Sequence, residues 1–341
     1  MKPGDTYTAM VYPSPGAALV AQRRVVPAPG PGELVVRLRG SALNYHDVMV
    51  AGGALQGVLF PRVPICDGCG EVIAAGADTA PFAVGDRVVP AVMPLWQAGP
   101  ETAAASRIIR GDQIDGCLAQ VAVFSAATVA RAPSHLDDVE AATLCGAGIT
   151  AWRAIAVEAD VQPGQVVVLQ GTGGVALYGL QLAKQRGAIA IVTSSSDAKL
   201  ERARALGADH VINYRREPQW GEAVKALTGG EGAHLVLDVA GTATFGQSLI
   251  AARFGGRVIL VGGVGGFDPA PLSFFEVISR NLSIKGITAG SRADLDALCR
   301  AFEAGRLRPV VDVRIAMAEV EAGIARLARG EHIGKIGIVI E

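Results

Sequence analysis

Two cysteines in the segment PICDGCGEV, Cys66 and Cys69, have the spacing of metal ligands or of a redox disulfide. A zinc ribbon needs a second Cys-x-x-Cys pair, and the sequence has none. A thioredoxin-like pair opens a helix of a βαβ unit, whereas this pair leads into a predicted β segment over 71–74. The segment is therefore predicted to hold neither a metal nor a disulfide.

A glycine-rich loop in VVVLQGTGGVALYG has the spacing of a dinucleotide-binding site. Gly171, Gly173 and Ala176 fit the pattern G-x-G-x-x-G/A directly after a buried strand and before a helix. The first glycine permits a tight turn, the second lets the backbone approach a pyrophosphate, and the helix N-terminus supplies N–H donors. We predict that Gly171, Gly173, Gly174 and Val175 bind a dinucleotide; the alternative is a glycine-rich turn without a ligand.

The residues after the second strand of this pattern decide between NAD and NADP. An NAD site has Asp or Glu here, which accepts a hydrogen bond from the ribose 2′-OH. This chain has TSSSDAKL, with Ser194, Ser195 and Ser196 at the tip and Lys199 one turn later. Hydroxyls and a cation accommodate a 2′-phosphate that a carboxylate would repel. Asp197 is expected at the start of the next helix, where a carboxylate is favourable, so NADPH is the predicted cofactor.

The elements that must position these residues fall into two groups. From residue 166, runs of Val, Ile and Leu alternate with helical patterns such as 175–186 and 243–254, which predicts a parallel sheet covered on both faces. Before about residue 130, short β segments are broken by Gly and Pro, which indicates a mostly antiparallel β domain. Two helices and a strand over 335–340 close the chain and are expected to pack onto that first domain.

Composition narrows the class of protein. The 341 residues are 50% apolar and 18% charged, which is typical of two soluble domains. A formal net charge of −1 offers no basic face for nucleic acid. No apolar run is as long as a membrane span, and the N-terminus lacks the apolar core of a signal peptide. Five scattered cysteines indicate reduced thiols, so we expect a cytoplasmic protein.

Over essentially its whole length the chain resembles the medium-chain dehydrogenase/reductase superfamily. The segments that carry the resemblance are LNYHDVMVAGG, DGCGEVIAAG, FAVGDRVVP, EAATLCGAGITAWRA, GTGGVA and ARALGADHVINY. The resemblance implies an α/β protein with a GroES-like, mainly β catalytic domain over 1–148. It also implies a Rossmann domain with a doubly wound parallel sheet that binds NADP(H) over 149–288, and a segment over 289–341 that returns to the catalytic domain. Members transfer hydride between NAD(P)H and alcohols, carbonyls or activated double bonds.

Zinc-binding members of the superfamily have metal ligands that this sequence lacks. The resemblance places a Cys of those members at Asn44, a His followed by Glu at Cys66 and Asp67, and a Cys at or near Gly146. The stretch 95–111 has none of the four cysteines of a structural zinc lobe. Because catalytic zinc needs three converging N, S or O ligands, we predict a zinc-independent member close to the quinone-oxidoreductase-like branch.

The predicted catalytic residues are Asn44, Tyr45, His46 and Asp67. Hydride transfer without a metal needs a hydrogen-bond donor where negative charge develops on the acceptor oxygen. His46 is at the place where zinc alcohol dehydrogenases of the family tend to have the Ser or Thr of a proton relay, and imidazole transfers protons near neutral pH. Tyr45 could donate from its phenol, and Asn44 could hold a carboxamide or substrate oxygen. Alternatively, His46 is a structural residue bonded to Asp47 or Asp67.

Further residues are expected to contact the cofactor from loops and strand ends in the same region of the fold. They are Thr150, Tyr214, Gly262, Gly263, Val264, Ala289, Gly290 and Ser291.

The sequence thus predicts an NADPH-dependent, zinc-independent oxidoreductase that transfers hydride to a quinone or an α,β-unsaturated carbonyl. Conjugation stabilises the resulting anion, whereas an alkoxide needs a Lewis acid such as zinc. An NADP-dependent alcohol dehydrogenase or carbonyl reductase is the alternative, and a non-catalytic NADPH sensor of the same fold is a third possibility. The resemblance also implies a homodimer formed along the edge of the Rossmann sheet.

Overall fold

The computed structural model describes residues 1–269 and 272–341 and divides the chain into two units. The first unit combines the two ends of the chain, Met1–Ile149 and Ala289–Glu341, and the second is Thr150–Thr288.

The strands and helices of the described residues are as follows. The strands are β1 Thr6–Val11, β2 Val20–Val25, β3 Glu33–Ala42, β4 Cys69–Ala75, β5 Arg87–Pro90, β6 Val121–Ser125, β7 Val129–Arg131, β8 Val166–Gln170, β9 Ile189–Ser194, β10 His210–Asn213, β11 Ala233–Asp238, β12 Ala252–Leu260, β13 Ser283–Gly286, β14 Val311–Ala316 and β15 Lys335–Val339. The α-helices are α1 Tyr45–Ala51, α2 Ala103–Ser106, α3 Asp138–Ala142, α4 Ile149–Trp152, α5 Gly174–Gln185, α6 Asp197–Ala205, α7 Trp220–Leu227, α8 Phe245–Ala251, α9 Phe274–Ser279, α10 Arg292–Gly305 and α11 Val320–Ala328. Wider π-helical turns, Leu144–Gly148 and Arg153–Glu158, flank α4.

A seven-stranded sheet forms the centre of the first unit. Its order is β14-β15-β3-β4-β5-β7, and β6 also pairs with β3. Strand β15, from the C-terminal segment, pairs antiparallel with β3, so that Gly337 lies opposite Ala42. The pairings are antiparallel except that of β14 with β15. The sheet therefore brings the end of β3, the start of β4 and the start of β15 together, although these segments lie far apart in the sequence.

The second unit is built on a six-stranded parallel sheet in the order β10-β9-β8-β11-β12-β13. Strand β8 (VVVLQ) is buried along its whole length, as expected for a central strand that is covered on both faces. Counted along the chain, this is the 3-2-1-4-5-6 order of the doubly wound dinucleotide-binding fold. The predicted α/β fold class is confirmed.

One predicted helix ends early. The pattern over 243–254 predicts a helix to residue 254, but α8 ends at Ala251 and the chain continues directly as β12. Strand β12 pairs in parallel with both β11 and β13, and this pairing overrides the local helical pattern. Among the helices that the structure describes, none combines the length and the hydropathy that crossing a membrane would require.

Candidate active site

A buried polar cluster of four side chains lies where β3, β4 and β15 meet in the first unit. The Lys335 ammonium donates to Asn44 Oδ1 at 2.5 Å, to Asp67 Oδ2 at 3.0 Å and to the Leu43 carbonyl at 2.6 Å. The Cys66 thiol donates to Asp67 Oδ1 at 3.5 Å, and Asn44 Nδ2 donates to Cys66 Sγ at 3.7 Å. The Lys335 and Asp67 side chains are only 3% and 0% exposed, so this is a buried ion pair with further hydrogen bonds on both partners.

Strand pairing holds the cluster in place. The Leu43 N–H donates to the Ile336 carbonyl at 3.0 Å, which aligns the end of β3 with the residue after Lys335. The Ser41 hydroxyl donates to the Asp67 carbonyl at 2.7 Å and fixes the turn before β4. Each side chain of the cluster is thus positioned by backbone that is itself part of the sheet or bonded to it.

Gly146 packs against this cluster, and the absence of a side chain there leaves space for Asp67 and Asn44. A Cβ at Gly146 would lie 2.7 Å from Asp67 Oδ1 and 2.9 Å from both terminal atoms of the Asn44 amide. Such distances are not tolerated, so a larger residue here would displace the polar cluster. The positions that the resemblance assigns to zinc ligands therefore do converge, but with an amide, a thiol, a carboxylate and a glycine.

The side chains of this cluster are an amide, a thiol, a carboxylate and an ammonium. Among residues 1–269 and 272–341, no group of three or more His, Cys, Asp or Glu side chains is arranged to hold a metal ion. Burial, together with the charge of neighbouring Asp67, raises the pKa of the Cys66 thiol well above its usual range, so Cys66 is protonated in this cluster. The Lys335 ammonium already provides the positive charge beside Asp67.

His46 lies in α1 and pairs with a residue that the sequence does not indicate. Its Nε2 is 2.9 and 3.0 Å from the two carboxylate oxygens of Asp112, which is 2% exposed, whereas the His46 side chain is 31% exposed. Burial lowers the pKa of His46, but the hydrogen bond and the charge of Asp112 outweigh this effect and raise it above its ordinary value. His46 is thus a partly accessible imidazole whose protonated form is stabilised by a buried carboxylate. The partners named for a structural His46, Asp47 and Asp67, are not the ones observed.

Asp47 has a local role at the start of α1. Its carboxylate accepts a hydrogen bond from the Asn44 N–H at 2.7 Å, as expected for an acidic residue in the first turn of a helix. Burial raises the pKa of Asp47 to about 7, against the opposing charge of His46. Tyr45 is the first residue of the same helix and is half-buried.

The glycine-rich loop has the backbone that phosphate binding requires. Gly171 follows β8 directly and has a φ of 77°, which side-chain-bearing residues rarely adopt. Gly173 precedes α5, so Gly174 and Val175 lie in the first turn, where N–H groups have no partner within the helix. The close contact of this helix with β8 comes from Gly179, where a Cβ would lie 2.8 Å from Leu169 Cδ2. A dinucleotide pyrophosphate fits this loop.

The tip after β9 presents hydroxyls next to a carboxylate that is already paired. Ser194 ends β9 and is buried, and its Oγ accepts from the Ser196 N–H at 3.3 Å. Ser195 and Ser196 are half-buried at the tip. Asp197 begins α6, as predicted, and its carboxylate is bound by Arg216 and by Asn213 Nδ2.

The remaining predicted cofactor residues divide between the two units. Thr150 lies in α4 and is buried, Tyr214 follows β10 and is 39% exposed, and Lys199 lies in α6. Three further predicted residues lie in the second unit directly after β12, namely Gly262, Gly263 and Val264. Ala289, Gly290 and Ser291 belong to the first unit. The hydroxyl of Ser291 caps α10 by accepting from the Asp294 N–H at 3.1 Å, which gives this residue a structural role.

Sequence reasoning missed three residues of these sites: Lys335, Asp112 and Arg216. Lys335 is detectable, because it is a charged residue beside the apolar run of a buried strand, where an ion pair is the usual explanation. Asp112 lies in an irregular loop and Arg216 in a turn, and neither has a pattern that marks its partner.

Comparison with known proteins places the chain in a family. Residues 30–134 match the alcohol dehydrogenase GroES-like domain, and residues 174–304 match the zinc-binding dehydrogenase family. A zinc-type alcohol dehydrogenase-like protein of Schizosaccharomyces pombe is 36% identical over 317 residues, which cover 91% of this chain and 92% of that protein. An acryloyl-coenzyme A reductase of Metallosphaera sedula is 27% identical over 91% of this chain and 93% of its own.

A solved structure supports the same family assignment. A protein of Sinorhizobium meliloti 1021, described as an alcohol dehydrogenase, is 38% identical with a TM-score of 0.92, and the match covers 100% of both chains. The chain belongs to the medium-chain dehydrogenase/reductase superfamily and is an oxidoreductase.

Proposed function

We propose that this oxidoreductase uses NADPH and, without zinc, reduces an electron-poor acceptor, either a quinone or a double bond conjugated to a carbonyl. The observation that carries the proposal is the Lys335 ammonium, bound by Asn44 and Asp67 among the positions where zinc-binding relatives would hold the metal. A divalent cation at the same place would be repelled by this buried charge, and it would have to displace the proton of the Cys66 thiol.

A site whose buried positive charge is a lysine ammonium favours conjugated acceptors. An alkoxide or simple carbonyl oxygen needs strong electrophilic stabilisation during hydride transfer, and zinc commonly provides it. In an enone or quinone, the charge is delocalised onto a distant oxygen, so a hydrogen-bond donor or acid suffices. The M. sedula relative carries the name of an acryloyl-coenzyme A reductase, an activity on a double bond of this conjugated kind.

His46 is the proposed proton donor to the reduced acceptor. Bound NADPH supplies the hydride. The imidazolium of His46 delivers a proton to the enolate or hydroquinone anion, and Asp112 holds the ring by its Nε2 and stabilises the charged form. Nδ1 of His46 is then the nitrogen that faces the acceptor, because Nε2 is engaged by the carboxylate.

NADPH is preferred in this proposal because the tip after β9 has no free carboxylate. Arg216 and Asn213 bind Asp197, so its charge is compensated and its oxygens are occupied. The half-buried hydroxyls of Ser195 and Ser196 at this tip are the groups proposed to bind a 2′-phosphate.

Ser195→Asp is expected to weaken NADPH binding by about tenfold to a hundredfold and to shift the preference towards NADH, because a carboxylate repels the phosphate and accepts from a ribose hydroxyl. The half-buried Ser195 is a better test position than Ser194, whose burial would make a carboxylate destabilising by itself. Dissociation constants for both nucleotides measure the effect, and Ser195→Asn is the uncharged control. An unchanged NADPH to NADH ratio in Ser195→Asp would contradict this placement.

A panel of acceptors tests the proposed reaction. Consumption of NADPH is expected with quinones or enones, and no reduction of NADP⁺ is expected with simple secondary alcohols. Turnover of alcohols in preference to enones would contradict the proposal.

A second candidate is an NADP-dependent alcohol dehydrogenase or carbonyl reductase. The His46–Asp112 pair favours it, because an acid of this type could protonate a carbonyl oxygen directly. Reduction of unconjugated ketones in the same panel, at rates similar to those of enones, would distinguish this candidate.

We also infer a homodimer along the sheet edge and a cytoplasmic location. Strand β13 ends the six-stranded sheet, and the nearby helix α9 exposes Phe274, Phe275 and Ile278 by 75%, 79% and 73%. Exposed apolar side chains beside an open strand favour association with a second copy. Sedimentation equilibrium of the purified chain tests the dimer.

The proposed cytoplasmic location rests on the cysteines. The five buried free thiols suit a reducing compartment.

A further inference from the structure

A cavity of about 380 Å³ lies in the second unit, at the amino ends of strands β8, β9 and β10. Val166 and Ile189, the first residues of β8 and β9, line it together with His210, the first residue of β10. Because the strands are parallel, the phosphate-binding loop after Gln170 lies at the opposite end of the sheet. The cavity is therefore separate from the nucleotide site.

His234 and Arg253 face each other in this cavity with an unsatisfied arrangement of donors. The Val166 N–H is directed at His234 Nδ1 at 3.1 Å, and Arg253 Nη1 is directed at His234 Nε2 at 2.6 Å. A neutral imidazole has one acceptor nitrogen and a guanidinium has none, so His234 can accept from only one of these two donors. When Nδ1 accepts from Val166, Nε2 carries the proton, and the N–H groups of His234 and Arg253 are directed at each other.

One acidic side chain lines this cavity, but it is not bonded to these donors. Among the residues that the structure describes, no carboxylate lies within ion-pair distance of Arg253, whose Nε donates to the Phe254 carbonyl at 3.2 Å. Glu231 lines the same cavity but makes no hydrogen bond with His234 or Arg253. Burial and the charge of Arg253 lower the pKa of His234 against the opposing charge of Glu231, which favours the neutral imidazole.

The rest of the wall is apolar. Ile191 and Val166 are buried beneath the cavity, while Ile189 and Leu227 remain 37% and 43% exposed beside it. A ligand would therefore gain binding free energy from covering apolar side chains at one end of the cavity. It would gain more from accepting two hydrogen bonds at the other end.

We propose that this cavity binds a small organic carboxylate with an apolar chain. One carboxylate oxygen accepts from the guanidinium of Arg253, and the other accepts from Nε2–H of His234. This separates the two opposed donors, while the chain of the ligand covers Ile189 and Leu227. The proposal concerns a ligand site that is independent of the nucleotide loop and of the reaction proposed above.

Hexanoate is the probe, with hexan-1-ol as the uncharged ligand of the same chain length, and binding is measured by calorimetry in the presence of saturating NADP⁺. Saturable binding of hexanoate is expected, with at least tenfold weaker binding of hexan-1-ol. Arg253→Gln should weaken hexanoate binding by about tenfold to a hundredfold, because a charge-assisted hydrogen bond is lost. Arg204→Gln, which removes an exposed arginine of α6 that does not line this cavity, is the matched control and should bind normally.

Side-chain ¹⁵N NMR of His234 gives a readout that does not depend on the variants. With hexanoate bound, His234 should be the Nε2–H tautomer, and the Nε2 resonance should shift from its position in the free protein. The proposal is overturned by any of four results: no binding, equal binding in Arg253→Gln and Arg204→Gln, competition with NADP⁺, or binding only after Glu231→Gln. The last result would mean that Glu231 is itself the carboxylate that occupies the site.

Discussion

His46→Ala is expected to lower kcat for reduction of the acceptor by about 10²- to 10⁴-fold, the usual contribution of a general acid, with little change in NADPH affinity. The loss of kcat is expected because of the geometry of the His46–Asp112 pair. Asp112 holds Nε2 of His46 at 2.9 Å and stabilises the imidazolium, which then has a proton to deliver. Steady-state kinetics with the best acceptor, together with titration of NADPH binding, measures the two effects separately.

The pH dependence of the same reaction gives an independent test. A general acid acts when protonated, so kcat/KM should fall as the pH rises through the pKa of His46, which lies above its ordinary value. Asp112→Asn removes the charge that raises this pKa, and the fall should move to lower pH. Asp47 also titrates, with a pKa of about 7, but it is bonded to the Asn44 N–H rather than to Asp112. Because the charges of His46 and Asp47 influence each other's pKa, the shift caused by Asp112→Asn belongs to this coupled pair.

His46→Gln is the matched control for proton transfer. Glutamine keeps a hydrogen-bond donor of similar length but cannot deliver a proton, so it should be nearly as slow as the alanine variant. Recovery of most of the activity by His46→Gln would show that hydrogen bonding alone is needed. Full activity of His46→Ala would make His46 a structural residue.

Lys335→Met is expected to destabilise the first unit by about 3–5 kcal/mol, the usual effect of removing one partner of a buried ion pair. The variant leaves the Asp67 carboxylate, which is 0% exposed, without its cation, and it leaves Asn44 Oδ1 and the Leu43 carbonyl without their donor. Urea-induced unfolding followed by circular dichroism measures the loss.

The double variant Lys335→Met/Asp67→Asn separates the ion pair from simple loss of packing. If the uncompensated charge of Asp67 causes the instability, then removing that charge should recover a large part of the lost stability. Equal stability of the native protein and Lys335→Met would contradict the buried pair, and a double variant less stable than Lys335→Met would contradict its electrostatic origin.

The sequence predicts those parts of the protein that local patterns determine. Runs of apolar residues predict the parallel sheet, because a strand buried on both faces must be apolar at every position, as β8 is. The turn at Gly171 is likewise predictable, because its positive φ restricts the residue type. Asp197 begins α6, where the sequence places it.

The partners of the candidate site are not predictable in this way. Asp112 lies 66 residues from His46, and Lys335 lies 268 residues from Asp67. Pairing between distant strands and loops creates these contacts, and no local period in the sequence records which distant residue will be the partner. The sequence therefore supplies His46 and Asp67 as candidates, whereas the carboxylate and ammonium that tune them appear only in the folded chain.

In the proposed reaction a lysine ammonium, and no metal ion, provides the positive charge of the candidate active site. The most direct test measures NADPH oxidation by an enone or a quinone before and after exhaustive chelation, with the metal content of the same sample determined by mass spectrometry. We predict an unchanged rate and a zinc content far below one ion per chain. Activity that is lost on chelation and restored by added Zn²⁺ would contradict the account.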